Sequence, residues 1–233
     1  PPRSTLFPYT TLFRSPYRAE WEIGGSAIWF RELAKQSLED EVIEDTAQRR
    51  VITRFTPLGV VGAITPWNFP LLLAVWKIAP ALLTGNCIIV KPSPFTPLIM
   101  LKFGELCRKI LPAGVLNVVS GGDALGKWIT AHAGIDKISF TGHTDTGKHV
   151  MRSAADSLKR ITLELGGNDP AIVLPDVDAK TIAPQLFWAA FQNNAQFCNS
   201  TKRLYVHEKV YDEVLAELVA YMEIGRASCR ERV

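Results

Sequence analysis

The sequence is poor in cysteine, with four in 233 residues. Cys229 lies near the C-terminus, and the spacing of Cys87, Cys107 and Cys198 indicates neither a disulfide framework nor a zinc site. Few and unpaired thiols are typical of a reducing compartment, so we expect a cytoplasmic protein. Because an isolated cysteine is most often a small buried hydrophobic residue, that role is expected for Cys87 and Cys107.

Long apolar runs and metal-ligand spacings are also absent from the sequence. No stretch approaches the ~20 apolar residues that a membrane-spanning helix requires. The histidines have no spacing typical of metal ligands, and we expect all four to be exposed to solvent: His132, His143, His149 and His207. We therefore expect neither a membrane protein nor a metal site.

The sequence has little net charge once its two ends are set aside. Residues 1–15 can be back-translated into a DNA sequencing adaptor, and residues 224–233 into the reverse complement of the same oligonucleotide in another frame. We expect both ends to be adaptor-derived and the natural segment, about 16–223, to be a fragment of a longer gene. The ends carry five arginines and one acid of the 26 basic and 23 acidic side chains, which leaves 21 and 22. Nucleic acid and anionic membranes are therefore not expected as partners.

What the sequence does contain is a regular alternation of short apolar strands and helices. The predicted strands are 60–65, 87–91, 115–119, 137–141 and 160–164. The predicted helices between them are 71–83, 98–110, 124–131 and 145–157. This alternation predicts parallel βαβ units in a doubly wound α/β sheet. A helix at 20–38, an acidic loop and a strand at 50–56 precede the sheet.

The alternation begins again after the fifth strand. The strands predicted there are 171–174 and 203–207, and the helices are 181–191 and 210–221. We therefore expect a dinucleotide-binding domain at 16–166 and the incomplete start of a second α/β domain, a catalytic one, at 167–223.

A carboxylate and a thiol form the strongest chemical signal in the chain. Glu164 stands in a Leu-Glu-Leu-Gly-Gly segment, and Cys198 lies 34 residues later in Asn-Ala-Gln-Phe-Cys. A thiolate can attack a carbonyl carbon, a carboxylate can activate water, and the side-chain amide of Asn68 can hold an oxyanion. Together these groups suggest covalent catalysis. The alternative readings are a solvated strand-end acid for Glu164 and a turn residue for Asn68.

Polar and glycine residues just past the predicted strands favour a cofactor site. Ligands of doubly wound sheets bind beyond the carboxyl ends of the strands, where Lys91, Gly121, Gly122 and Gly142 are predicted to lie. Gly121, Gly122 and Gly126 alone would be only a weak dinucleotide-binding signal, because glycines after strands are usually turn residues.

Over nearly all of 16–223, the sequence resembles the aldehyde dehydrogenase superfamily. Seven motifs occur in the order typical of that family: Pro66-Trp67-Asn68-Phe69-Pro70, Trp76-Lys77 with Pro80-Ala81-Leu82, Gly85-Asn86, Lys91-Pro92-Ser93, Phe140-Thr141-Gly142 with Gly147-Lys148, Glu164-Leu165-Gly166-Gly167, and Cys198. The resemblance implies a Rossmann-like cofactor domain and NAD- or NADP-dependent oxidation of a small-molecule aldehyde to a carboxylic acid. It also implies that the intact enzyme is a homo-oligomer, either a dimer or a tetramer.

The resemblance also implies roles for individual residues. Cys198 would attack the aldehyde, Asn68 and the Cys198 backbone N–H would hold the oxyanion, and Glu164 would activate the water that hydrolyses the thioester. The resemblance assigns Lys77 to the catalytic site as well. A lysine in a helix is ordinarily a surface residue, and that alternative has equal weight. The residues expected to bind the cofactor are Thr65, Pro66, Trp67, Lys91, Ser93, Gly121, Gly122, Gly126, Phe140, Thr141, Gly142, His143, Leu165 and Gly166.

Three positions depart from the family pattern. Ala195 stands where glycine is usual, which is tolerable if the backbone φ there is negative and damaging if it is positive. Pro94 stands where many members have a glutamate that excludes NADP, so that exclusion should be weaker. His143 replaces a common serine and could add a contact to the cofactor phosphate.

Two alternative functions remain open at this point. Members that pass the acyl group to coenzyme A typically lack a glutamate at the position of Glu164, so hydrolysis is favoured over acyl transfer. The other alternative is a catalytically silent, truncated fold with a structural or binding role only. We expect the 233-residue product itself to fold poorly or to be inactive, because it would expose sheet edges and half a core.

Overall fold

The computed structural model describes residues 16–230, with side-chain surroundings for 19–223. The predicted adaptor-derived segment at 1–15 lies outside the described residues. The described chain divides into two compact units between Glu164 and Leu165. In the first unit the elements are α1 (Pro16–Leu33), β1 (Glu41–Asp45), β2 (Arg50–Thr53), β3 (Val60–Ile64), α2 (Leu72–Leu83), β4 (Cys87–Lys91), α3 (Leu98–Cys107), β5 (Leu116–Val118), α4 (Asp123–Ala131), β6 (Lys137–Thr141), α5 (Thr144–Ala155) and β7 (Arg160–Glu164).

The first unit is built on a parallel five-stranded sheet, which confirms the predicted doubly wound α/β fold. The strand order is β5-β4-β3-β6-β7, so the chain moves outward from β3 in one direction and then crosses to the other side for β6 and β7. β3 is therefore the central strand. Its neighbours β4 and β6 both pair with it in parallel.

Apolar side chains of the central strands and of α2 form the core of this unit. In the main cluster the residues with no exposed surface are Ala63, Ala74, Val75, Ile78, Ile88, Val90 and Met100, and Ile138 on β6 is equally buried. Burying a large aliphatic side chain contributes about 1.5–3 kcal/mol, so this cluster is a main source of stability. Gly62 lets α4 approach β3 closely, because a Cβ atom there would lie 2.8 Å from Cγ2 of Ile129.

The acidic segment before β2 was predicted to be a loop, and that prediction is wrong. Residues Glu41–Asp45 form β1, which pairs antiparallel with β2 and contains a register shift between Val42 and Glu44. Basic side chains from the second strand and its flanks lie against the acids: Arg49 binds Glu44, Arg50 lies 3.6 Å from Asp45, and Arg54 binds Asp40. Opposite charges across the pair remove the repulsion that a row of acids would otherwise have.

The second unit contains a short parallel sheet and two helices. Its elements are β8 (Asp169–Val173), α6 (Ala179–Phe191), a single turn at Gln192–Ala195, β9 (Thr201–Val206), a short 3-10 helix (Glu208–Val210) and α7 (Tyr211–Arg230). Asp178 caps α6 by accepting hydrogen bonds from the N–H groups of Lys180 and Thr181. The Thr181 hydroxyl donates to the same carboxylate at 3.0 Å, and this bond, together with the backbone N–H bonds, lowers the pKa of Asp178 because all of them favour the ionised form.

The helices of both units differ from the sequence prediction mainly at their ends. α1 ends at Leu33, five residues before the predicted end, and α3 ends at Cys107. α7 continues nine residues past the predicted end at Tyr221, and its last turns lie in the segment expected to be adaptor-derived. Within residues 16–230, no helix is both long and apolar enough to cross a membrane.

Candidate active site

Strand register brings the predicted site residues of the first unit to one edge of the sheet. Ile64 on β3 stands opposite Lys91 on β4 and Phe140 on β6, and Thr141 stands opposite Glu164 on β7. These residues are the last or next-to-last of their strands. Because the chain reverses its direction of winding between β3 and β6, this edge is where doubly wound sheets bind ligands.

Lys77 is buried at this edge and is held by two hydroxyl groups of β6. Its side-chain nitrogen Nζ donates hydrogen bonds to Oγ1 of Thr141 at 2.7 Å and to Oγ of Ser139 at 3.2 Å. Burial lowers the pKa of Lys77 to about 8, against a raising influence of Glu164 and with a further lowering by Lys137. Of the two readings left open for Lys77, the structure excludes the surface lysine, since only 7% of its surface is exposed.

Lys91 is also buried, and its side chain runs alongside α4. A Cβ atom on Gly126 would lie 3.8 Å from Cε of Lys91, so glycine leaves room for the lysine stem. Nζ donates to the carbonyl of Pro92 at 3.4 Å. Burial lowers the pKa of Lys91, and Asp123 opposes that shift. The cation thus lies beside the N-terminus of α4, where an anionic or hydroxyl ligand would be stabilised.

The hydroxyl of Thr65 is the polar group at this edge that most clearly lacks a protein partner. Thr65 is 4% exposed, and its Oγ1 makes no hydrogen bond to the described chain, whereas its backbone N–H donates to the carbonyl of Lys91 at 3.1 Å. A buried hydroxyl without a partner is costly unless a ligand or water satisfies it. Ser93, on the segment after β4, accepts from the N–H of Phe95 at 3.3 Å.

The glycines of the predicted cofactor site differ in what surrounds them. Gly122 precedes α4 as its N-cap residue and has open space where a Cβ would stand, so the first N–H groups of the helix are not covered by a side chain at that position. Gly142 is different, because a Cβ there would lie 2.6 Å from the ring of Phe140. Its N–H donates to the carbonyl of Glu164 at 3.0 Å, which fixes the ends of β6 and β7 together.

His143 caps α5 with its imidazole ring. Nδ1 accepts a hydrogen bond from the N–H of Asp145 at 3.3 Å, and the ring is largely exposed. The structure thus gives this side chain a local role that the sequence did not predict. Its contact with a cofactor phosphate stays a prediction. All four histidines are exposed, as predicted.

Asn68 lies in the turn between β3 and α2. Its side-chain oxygen Oδ1 accepts from the N–H of Phe69 at 3.1 Å, and the residue is half-buried. The preceding Pro66 and Trp67 are also half-buried. This bond uses the oxygen end of the amide, while the nitrogen end is the donor that an oxyanion would need.

In the second unit, Cys198 is exposed and lies in the loop between α6 and β9. Gly167 packs against this loop, because a Cβ atom on it would lie 2.9 Å from the Cys198 carbonyl oxygen. Ser200, which has no exposed surface, closes the loop by donating to the carbonyls of Ala195 at 3.3 Å and Phe197 at 3.4 Å. No motif or spacing in the sequence pointed to Ser200.

The segment before Cys198 has an unusual backbone. Three successive residues lie in the left-handed region, Asn193 with φ 49°, Asn194 with φ 55° and Ala195 with φ 59°. Asparagine tolerates this region better than most residues, but alanine is strained there by roughly 1–2 kcal/mol. Ala195 is expected from the sequence to be tolerable with a negative φ and damaging with a positive one, and the structure shows a positive φ. Glu164 ends the first unit, and Cys198 belongs to the second.

Comparison with known proteins identifies the family. Residues 18–228 match the aldehyde dehydrogenase family. The chain belongs to that family. It is 45% identical over 206 residues to the aldehyde dehydrogenase LUC3 of a Fusarium species, an alignment that covers 88% of this chain and 43% of that protein. The chain therefore spans less than half the length of this family member.

Solved structures give the same result for the fold. The NAD+ complex of an aldehyde dehydrogenase from Bacillus cereus superposes with a TM-score of 0.83 at 38% identity, over 86% of this chain and 42% of that chain. An NADP-dependent enzyme from E. coli superposes with a TM-score of 0.87 at 36% identity, over 93% and 46%. Both superpositions cover most of this chain and less than half of the solved structure.

Proposed function

We propose that the full-length protein containing this sequence oxidises an aldehyde to a carboxylic acid, with NAD+ or NADP+ as the electron acceptor. The family supports the general reaction. The observation that carries the assignment of the nucleophile is the accessibility of the thiols, since Cys198 is exposed while Cys87 is partly buried and Cys107 is buried. Burial also raises the pKa of Cys107, which makes its thiolate less available.

In this proposal Cys198 attacks the carbonyl carbon as a thiolate and forms a thiohemiacetal. Asn68 and the backbone N–H of Cys198 donate hydrogen bonds to the oxyanion, and losing one such donor typically raises the barrier by about 3–4 kcal/mol. NAD(P)+ supplies the chemistry of hydride acceptance when it is bound. The thioester that remains on Cys198 is then hydrolysed by a water from which Glu164 removes a proton.

The first unit is the proposed cofactor domain. The unpartnered hydroxyl of Thr65 and the buried cation of Lys91 fit a ligand rich in hydroxyl and phosphate oxygens. Gly122, at the uncovered start of α4, fits a phosphate group for the reason that helix N-termini bind anions. Pro94 carries no charge to repel a 2′-phosphate, so we propose that NADP+ is excluded less strongly here than in members with a glutamate at this position.

The test is a panel of aldehydes assayed at the nicotinamide absorbance with each cofactor. The wild-type full-length protein should reduce NAD+, NADP+ or both, and Cys198→Ser should lower the rate roughly 10³-fold or more. Binding of NADH and NADPH, followed by fluorescence, should remain. Cys87→Ser serves as the matched control and should stay active. An active Cys198→Ser protein, or a wild-type protein that oxidises no aldehyde, would overturn the proposal.

Two further properties stay predictions for the full-length protein. One is the homo-oligomeric state, dimer or tetramer, implied by the family resemblance. The other is the cytoplasmic location, which rests on the small number of unpaired cysteines.

A further inference from the structure

Glu22 is a buried carboxylate that the proposed chemistry does not use. It lies on α1 and is 4% exposed. Its oxygen Oε1 accepts two hydrogen bonds from the start of α2, one from the N–H of Leu71 at 2.8 Å and one from the N–H of Leu72 at 3.0 Å. A side chain nearly fifty residues away in the sequence therefore serves the first N–H groups of another helix.

The start of α2 needs such a partner. The first N–H groups of a helix have no acceptor within the helix, and the positive end of the helix dipole lies there. Leu71, the N-cap residue, offers no side-chain acceptor, and Pro70 before it has no N–H group. A carboxylate accepts stronger hydrogen bonds from N–H groups than a neutral acceptor does. Glu22 therefore provides the cap that the local sequence lacks.

The residue next to Glu22 holds the other side of the same turn. The ring of Trp21 meets the ring of Phe69 edge to face, with their centroids 6.2 Å apart and an angle of 60° between the planes. Phe69 directly follows Asn68, and its N–H is the donor to Asn68 Oδ1. Two successive residues of α1 thus contact the chain immediately after Asn68.

We propose that Glu22 is a positioning residue for Asn68: by capping α2, it fixes the turn that presents the Asn68 amide to the oxyanion. This inference rests on the proposed function, because the oxyanion belongs to that reaction. An oxyanion donor acts mainly in the transition state, so its displacement lowers kcat more than it raises KM. The proposed cofactor-binding residues on β4 and α4 are held in place by other contacts, so loss of the Glu22 cap should not displace them.

The experiment compares three variants of the full-length protein. Glu22→Ala removes the acceptor and should lower kcat on the order of 10- to 100-fold, since small displacements of positioning groups have effects of that size. Glu22→Gln keeps one amide oxygen as acceptor and should lose less. Glu32→Gln, on the same helix, exposed and paired with Lys35, is the matched control and should leave kcat unchanged. NAD(P)H binding should be the same in all three.

Hydrogen exchange gives a readout that does not depend on activity. Mass spectrometry of the peptide that spans Leu71 and Leu72 should show faster amide exchange in Glu22→Ala than in wild type, with the Glu32→Gln protein unchanged. Unchanged exchange, unchanged kcat, or an equal loss of kcat and cofactor binding would each overturn the inference. If Glu22→Ala does not fold, kcat and amide exchange are measured on Glu22→Gln instead, and the same outcomes support or overturn the inference. A wild type without aldehyde oxidation contradicts the proposed function, while the exchange result still tests the cap.

Discussion

The carboxyl edge of the five-stranded sheet and the loop that carries Cys198 are constructed differently. At the sheet edge, strand pairing and burial fix each side chain, and Lys77 is held by hydroxyl groups on the neighbouring strand. In the Cys198 loop, the backbone is strained at Ala195, and hydrogen bonds to the loop come from the buried hydroxyl of Ser200 and from the exposed side chain of Lys202. The proposed cofactor-binding residues are therefore positioned by strand pairing and burial. The position of the Cys198 thiol depends instead on the conformation of a short segment.

The two regions differ because strand register and loop conformation resist rearrangement to different degrees. A strand in a parallel sheet cannot slip by one residue without sending every side chain to the opposite face, so the register of β6 and β7 is strongly specified. A loop held by isolated hydrogen bonds, such as those from Ser200 and Lys202, resists rearrangement less than a paired strand does. Substitutions at the sheet edge should therefore change rates and pH dependence, and substitutions in the loop should change conformational stability.

The largest effect is expected at Glu164, on the sheet edge. Glu164→Gln removes the base proposed for thioester hydrolysis but leaves the attack and the hydride step in place. Rapid mixing should show a burst of NAD(P)H close to one equivalent per site, followed by turnover reduced roughly 10²- to 10⁴-fold. Glu105→Gln, an exposed acid on α3, is the control. Steady-state turnover equal to that of wild type would exclude Glu164 as the base.

A change of intermediate size is expected in the pH dependence of stability. Because the pKa of Lys77 is about 8 in the folded chain against an ordinary 10.5, the unfolded chain binds more protons between these values. The free energy of unfolding should therefore rise with pH across this window. Relative to Lys77→Met, the wild type should gain about 2–3 kcal/mol between pH 7 and pH 10. Urea unfolding at several pH values measures this, and parallel curves for the two proteins would contradict the burial of a titrating lysine.

The smallest effect is expected in the loop. Ala195→Gly relieves the left-handed strain and should raise the free energy of unfolding by about 1 kcal/mol, after allowance for the greater freedom of glycine in the unfolded chain. Ala189→Gly, at an exposed position inside α6, should have the opposite sign and lower it by about 1 kcal/mol. Thermal or urea unfolding distinguishes the two. A loss of stability in both variants would show that Ala195 is not strained.

Sequence reasoning succeeded where the structure is determined locally. The strands at 87–91, 137–141 and 160–164 have the predicted bounds, because each is a short run with β-branched residues that begins directly after a polar residue, Asn86, Asp136 or Lys159. β1 was missed because its apolar content is only Val42 and Ile43, and its acids are balanced by arginines that lie in or near β2. No local sequence pattern predicts the pairing of β1 with β2.

The site was predictable to a similar degree. Motifs identified Lys77, Lys91 and Glu164 as residues of interest. Parallel pairing brings the strand ends that carry Lys91 and Glu164 to one edge, and Lys77 reaches the same edge from α2. The partners of these residues come from distant parts of the chain, as Ser139 does for Lys77 and Glu22 does for the start of α2. Such contacts depend on tertiary packing, which periodicity and spacing do not encode.

The proposed mechanism requires a covalent bond between Cys198 and the substrate carbon. The direct measurement is mass spectrometry of the Glu164→Gln protein after mixing with an aldehyde substrate and NAD(P)+, followed by digestion and sequencing of the modified peptide. We expect an added acyl group of the expected mass on Cys198, and we expect it to be absent when the cofactor is omitted. A burst of NAD(P)H with an unmodified Cys198, or an acyl group on another residue, would contradict the proposed mechanism.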